Sequence, residues 1–310
     1  MSATSDRPLV RYTGRVYDSS RWEGVNLRTD DIIISTPPKC GTTWTQMICA
    51  LLVFQTPELP DRLGNLSPWL DMLTRSRNQI LRLLDAQQHR RFIKTHTPLP
   101  GLPLVDGVTY IAVARDPRDV ALSMDDHLAN MDWDAFHRAR VAAALDDGLP
   151  EPERAPVPPL DRLTDRERFW AWVTDDTPPT EASSSLLRTV RHLESFWEIR
   201  DDPNVVLLHY TDLKTDLEGQ MRRLASRLTI DVPDDRWPAL VEAATFTSMQ
   251  RASDRTSPLG GIWKDPRQFF REGRKGAWQA ILDTDADRRR YDERVASLIG
   301  PDLSAWLHRS

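Results

Sequence analysis

The chain has 310 residues, 40% of them hydrophobic, and a formal net charge of -5. This length suits one large α/β domain or two small ones, and the acidic balance excludes a general nucleic-acid binder. No apolar run reaches transmembrane length and residues 1–11 are polar, so neither a membrane span nor a secretory signal is expected. The only cysteines, Cys40 and Cys49, fit a reducing cytoplasm better than a disulfide framework.

Residues 1–30 are polar with scattered aromatics (Tyr12, Tyr17, Trp22) and read as a lead-in packed on the surface. Ile32, Ile33 and Ile34 then form a β-branched run, the pattern of a strand buried on both faces. Pro37 and Pro38 end it, Gly41 allows a tight turn, and Thr42 or Thr43 can cap the helix that follows. That helix is apolar at Trp44, Met47, Ile48, Leu51 and Leu52, at helical spacing. Residues 58–90 read as mostly helical, 91–96 as a strand, 97–101 as a loop, 110–115 as a second buried strand, and 117–129 as a helix with proline in its first turn.

Residues 134–182 change character. They are rich in proline and acidic residues, interrupted by Phe136, Phe169, Trp170 and Trp172, and read either as a lid-like insertion over a binding site or as an exposed surface insertion. Helix is expected again over 183–200, a strand over 205–210, helices over 213–228 and 235–252, loop over 255–277 and a charged helix over 285–299. Strands alternating with helices imply βαβ units. The fold class is therefore α/β, a P-loop-like three-layer arrangement with a central parallel sheet flanked by helices, and residues 1–310 read as a single domain.

In such sheets ligands bind at the carboxyl ends of the strands, where residues 36–41, residues 94–96 and Arg115 all fall. A strand, a small-residue turn and a helix N-terminus make an anion site, to which Lys39 adds a full charge. Only five of the 41 basic residues are lysine (Lys39, Lys94, Lys214, Lys264, Lys275). A chain that so strongly prefers arginine keeps the compact ammonium at two strand ends, which reads either as a geometric need or as chance. A Walker loop would place lysine directly after its second glycine. Here Lys39 precedes Gly41, so a nucleoside-triphosphate loop fits poorly. His96 lies two residues after Lys94, so both side chains point to one face of a strand end. No His/Cys/carboxylate cluster has metal-ligand spacing.

Lys39, Gly41, Thr42, Thr43 and Trp44 resemble the 5′-phosphosulfate loop of the cytosolic sulfotransferase family, whose core is Lys-Ser-Gly-Thr-Thr-Trp; Cys40 replaces the serine. Further motifs follow in order: Lys94-Thr-His96; Arg115 with Ser123; Tyr210 after a strand; Phe246 in a short Phe-x-x-Met pattern; and Phe269, Arg271, Gly273, Gly276 and Trp278 of the family's Phe-x-Arg-Lys-Gly-x-x-Gly-Asp-Trp. In this last motif Glu272 replaces lysine and Ala277 replaces aspartate. The family's dimer motif is not recognisable in residues 279–288, which leaves oligomeric state open. Residues 67–71 and 94–99 look most like the bacterial branch that includes glycolipid sulfotransferases.

The resemblance implies transfer of a sulfuryl group from 3′-phosphoadenosine 5′-phosphosulfate to a hydroxyl, without a metal. His96 would be the general base, and Lys39 and Lys94 would neutralise developing charge. Residues 39–44 would hold the 5′ end of the donor, and Arg115, Ser123, Arg271, Glu272 and Gly273 would surround its 3′-phosphate. Tyr210 and Phe246 would contact the adenine. The acceptor is expected to be a small molecule with a hydroxyl, such as a phenol, sterol, natural product or glycolipid. Trp22, Trp69, Trp133, Trp170 and Trp263 either line its pocket or simply pack. Two rivals remain: a P-loop-type nucleotide kinase, and a nucleotide-binding protein without catalysis. Cys40, beside Lys39 at a helix N-terminus, is expected to be a thiolate-rich, reactive thiol.

Overall fold

A computed structural model describes residues 7–154, 156–157, 162–257, 261–270 and 276–309. Four parallel strands form its sheet: β1 (Ile32–Ser35), β2 (Phe92–Thr95), β3 (Thr109–Ala114) and β4 (Val205–His209), in the order β2-β1-β3-β4. Ile33 pairs with Ile93 on one side and Tyr110 on the other, and Ala112 pairs with Leu207. β1 therefore lies inside the sheet, as its run of isoleucines requires. Ile32 and Ile34 face a layer containing Ile48, Leu52, Met221 and Leu224, while Ile33 faces one containing Trp22, Leu84 and Phe196. All three isoleucines are fully buried. The alternation of side chains along β1 thus feeds two helical layers, which accounts for a continuous apolar strand.

The Thr42–Phe54 and Pro117–Ala129 helices occupy the expected segments. In the first, the N-cap is Gly41, with no side-chain cap. The expected capping by Thr42 or Thr43 does not occur, because the Thr42 hydroxyl bonds Thr36 Oγ1 at 2.5 Å instead. Residues 235–252 form two helices, Trp237–Ala243 and Phe246–Arg251. The break is made by Thr245, whose side chain accepts from Ser248 N. The helix expected over 213–228 begins earlier, at Tyr210, and breaks at Asp216, whose side chain caps a second helix, Leu217–Arg227. Tyr210 therefore opens a helix rather than ending β4. Beyond the charged Asp285–Leu298 helix the chain forms one more, Pro301–Leu307, whose Leu303, Trp306 and Leu307 fall at helical spacing.

The 134–182 segment carries two helices, Trp133–Asp146 and Asp165–Thr174. Phe169, Trp170 and Val173 pack with Val190, Tyr291 and Leu303 in a third buried cluster. No helix among the described residues is long and apolar enough to cross a membrane.

Candidate active site

The carboxyl ends of β1, β2 and β3 open into a cavity of about 1200 Å³. Its floor is the turn after β1. Lys39 (φ 68) and Gly41 (φ 100) both take left-handed backbone. A Cβ on Gly41 would meet the Tyr210 ring at 3.1 Å, so glycine is what lets this turn close against the tyrosine. The first N–H groups of the Thr42–Phe54 helix lack intrahelical partners, and the helix dipole adds to their pull on an anion.

Three of the cations that line the cavity are each set over an aromatic ring: Lys39 Nζ 4.9 Å from the centre of Phe269, Lys94 Nζ 4.3 Å from Trp69, and the Arg115 guanidinium 4.7 Å from Tyr210. Arg115 Nη1 donates to the Lys39 carbonyl at 3.2 Å, and its buried Nε makes no hydrogen bond among the described residues. Burial and the neighbouring Arg115 bring the Lys39 ammonium down to about 8. Burial and Lys39 bring Lys94 down to about 7. Crowded cations that lower one another's affinity for protons are the electrostatic imprint of an anion site. An incoming anion acts the other way and favours the charged form of both lysines.

His96 closes β2. Its Nδ1 lies 2.6 Å from the Thr36 carbonyl, which can only accept, so Nδ1 carries the proton and Nε2 keeps its lone pair. Burial first, and Lys94 next, hold the imidazole well below its usual pKa. The Trp69 ring meets it edge-on at 4.6 Å. The result is a neutral imidazole with a fixed tautomer, lining a cavity that also holds two ammonium groups.

Ser123 lines the same cavity from the Pro117–Ala129 helix, as do Thr43, Trp44, Tyr210 and Phe246. Trp44 Nε1 donates to the Ala244 carbonyl at 2.8 Å, and its ring meets Tyr210 edge-on at 5.4 Å. Arg271, Glu272 and Gly273 lie outside the described residues.

Cys40 corrects an expectation. Its side chain is fully buried, and burial pushes the thiol up to about 12 despite Arg115 and Lys39. The turn directs it inward, where loss of solvation outweighs the nearby positive charge. Of the five tryptophans, Trp69, Trp133 and Trp263 line the cavity. Trp22 is core, its Nε1 donating to Asp71 at 3.3 Å, and Trp170 is buried beneath Arg290. From the 134–182 segment, Leu163, Arg168 and Trp172 reach the cavity wall. Sequence reasoning missed His127, which lines the cavity four residues after Ser123 on one helix face. It also missed Asp71, whose carboxylate accepts from both Thr95 and Thr97. The helical spacing from Ser123 was the available signal for His127. Nothing in the sequence pairs Asp71 with β2.

Among the described residues no group of three or more His, Cys, Asp or Glu side chains is placed to hold a metal ion.

The sequence profile of the family described as "Sulfotransferase domain" matches residues 29–300. A glycolipid sulfotransferase of Mycobacterium bovis (strain BCG / Pasteur 1173P2) is 41% identical, over 98% of this chain and 96% of its own. Among solved structures, mouse sulfotransferase SULT7A1 complexed with PAP is 21% identical with a TM-score of 0.66, covering 93% of this chain and 91% of the other. Retinol dehydratase in a complex with retinol and PAP is 20% identical with a TM-score of 0.63, covering 91% and 85%. These two share the fold of the present chain.

Proposed function

The chain belongs to the sulfotransferase family, and from that premise we propose that it moves a sulfuryl group from 3′-phosphoadenosine 5′-phosphosulfate to a hydroxyl of a small-molecule or glycolipid acceptor, within a single domain. The observation that carries this reading is the bond between His96 Nδ1 and the Thr36 carbonyl, which leaves the Nε2 lone pair in a cavity shared with Lys39 and Lys94. The orphaned Arg115 Nε, the cation cluster and the left-handed turn fit an adenosine bisphosphate bearing charge at both ends. The PAP in two neighbours of the same fold supports the same donor.

The donor supplies a sulfuryl group already activated by a phosphate leaving group. His96 Nε2 takes the acceptor O–H proton as the new oxygen–sulfur bond forms. Lys39 and the N–H groups of the turn hold the 5′-phosphate, whose bridging oxygen receives the electron pair of the sulfur–oxygen bond that breaks. Lys94 offsets charge on the sulfuryl oxygens. Arg115 and Ser123 hold the 3′-phosphate, and Tyr210, Trp44 and Phe246 flank the adenine. The products are a sulfate ester and adenosine 3′,5′-bisphosphate. With two ammonium groups and backbone donors on the transferring group, the chemistry asks for no metal. We assign the reaction to the cytoplasm, where the donor would meet a reduced chain.

The apolar wall of Met72, Met124, Leu128, Met131 and Ile262 suits a lipid-bearing or polycyclic acceptor, in keeping with the glycolipid relative. The test is transfer of labelled sulfate from the donor to a panel of phenols, sterols and glycolipids, with and without EDTA. Transfer that survives chelation supports the proposal. Activity with ATP that needs Mg²⁺ would favour a kinase. Nucleotide binding with no transfer to any acceptor would favour a binding protein.

A further inference from the structure

The cavity contains a second imidazole that the reaction above does not use. His127 stands one turn beyond Ser123, with its ring centre 4.9 Å from that of Trp263 and 6.1 Å from that of Phe269. Lys39, which lies over Phe269, connects this corner to the transfer point. Burial and the charges of Lys39, Lys94 and His96 keep the His127 ring neutral. Among the described residues the ring makes no hydrogen bond, and its Nδ1 is sealed from solvent. An orphaned N–H in such a place costs more than an orphaned lone pair. The proton therefore resides on Nε2, the nitrogen left to face the cavity. The wall around it is apolar, made by Met124, Leu128, Met131 and Ile262. An unpaired N–H donor beside these apolar side chains is a specificity element, because a ligand lacking a matching oxygen leaves it unpaired.

We propose that His127 Nε2–H donates a hydrogen bond to a second oxygen of the acceptor, beside the hydroxyl that receives the sulfuryl group. His127 thereby makes the site select polyol-type acceptors, such as a sugar ring, over isolated alcohols. This inference rests on the sulfuryl-transfer reading and adds to it the residue that reads the neighbouring oxygen. His96 handles the reacting hydroxyl, and His127 takes no proton.

The test compares an alkyl-substituted 1,2-cyclohexanediol with the matching cyclohexanol as acceptors for the native protein, His127→Phe and His127→Asn. The native protein is expected to favour the diol by about ten- to a hundredfold in kcat/KM, the range expected for one buried donor left unpaired. His127→Phe, which keeps a ring against Trp263, should bring the ratio close to one. His127→Asn, which restores an N–H donor, should recover part of it. Calorimetry should give each variant the native affinity for adenosine 3′,5′-bisphosphate. An absent native preference, an equal loss on both acceptors, or weakened nucleotide binding would overturn the assignment of His127. Failure of the native protein to transfer to any hydroxyl in the wider panel would instead count against the sulfuryl-transfer reading itself.

Discussion

Thr95 Oγ1 donates to the carboxylate of Asp71 at 2.6 Å, within the buried layer beneath the cavity. Thr97 donates to the same oxygen, so one carboxylate holds the residues on both sides of His96. Asp71 is itself fully buried, and burial raises its pKa against the pull of these bonds. Its carboxylate fixes the backbone from which His96 projects, and Arg188 Nη2 adds a bond to the His96 carbonyl at 2.9 Å.

The first prediction concerns this positioning. Asp71→Asn should lower kcat by about ten- to a hundredfold, the cost of a small misplacement of a reacting group. Affinity for adenosine 3′,5′-bisphosphate should stay near native, because Asp71 does not line the cavity. Steady-state kinetics and calorimetry together check this. A fall in nucleotide affinity with kcat intact would refute the positioning role.

His96→Ala should retain nucleotide binding and lose about two to four orders of magnitude in turnover, the usual worth of a general base. The measurement is single-turnover transfer at saturating donor. Turnover equal to native would remove His96 as the base.

The pH dependence follows from the shifts in the cavity. The His96 pKa is held below 6.5, so the base is already neutral at pH 7 and the acid limb that His96 sets in kcat/KM should lie below that value. Lys94 at about 7 and Lys39 at about 8 must be protonated to hold the anionic donor. Donor affinity should therefore be highest below pH 7 and decline as the pH rises through 7 to 8. Bound donor raises both lysine pKa values, so the alkaline limb of kcat should lie above that of kcat/KM. Lys94→Arg, which stays charged, should shift the alkaline limb upward. A kcat/KM profile flat to pH 9 would contradict the assignment.

Cys40 should resist thiol reagents. With its thiol near 12 and its side chain fully buried, alkylation by iodoacetamide at pH 7.5 should proceed only as fast as the protein unfolds. Cys49, equally buried and also near 12, should behave alike. Mass spectrometry with and without denaturant measures this. Rapid labelling of Cys40 in the native state would sink the prediction.

The chain order of motifs was enough to identify the fold class and the family, because both depend on local patterns. The run Ile32-Ile33-Ile34 demands a strand covered on both faces. Lys39 to Trp44 demands a turn into a helix, and Lys94-Thr-His96 puts two polar side chains on one face of a strand end. These are consequences of backbone period and of glycine's conformational freedom, so they can be read without knowing what packs where. The tertiary structure decided what depends on distant partners. Cys40 is fully buried although it sits beside Lys39, and no local pattern encodes that burial. Trp69 meets His96 while Trp22 lies in the core, although both tryptophans precede β2 by sequence. Asp71 reaches Thr95 across 24 residues. His127 becomes a feature of the cavity only once Trp263 and Phe269, more than 100 positions away, close around it. The sequence determined which groups the reaction has available, and packing determined their protonation, orientation and access, because desolvation and neighbouring charge exist only after the chain has folded.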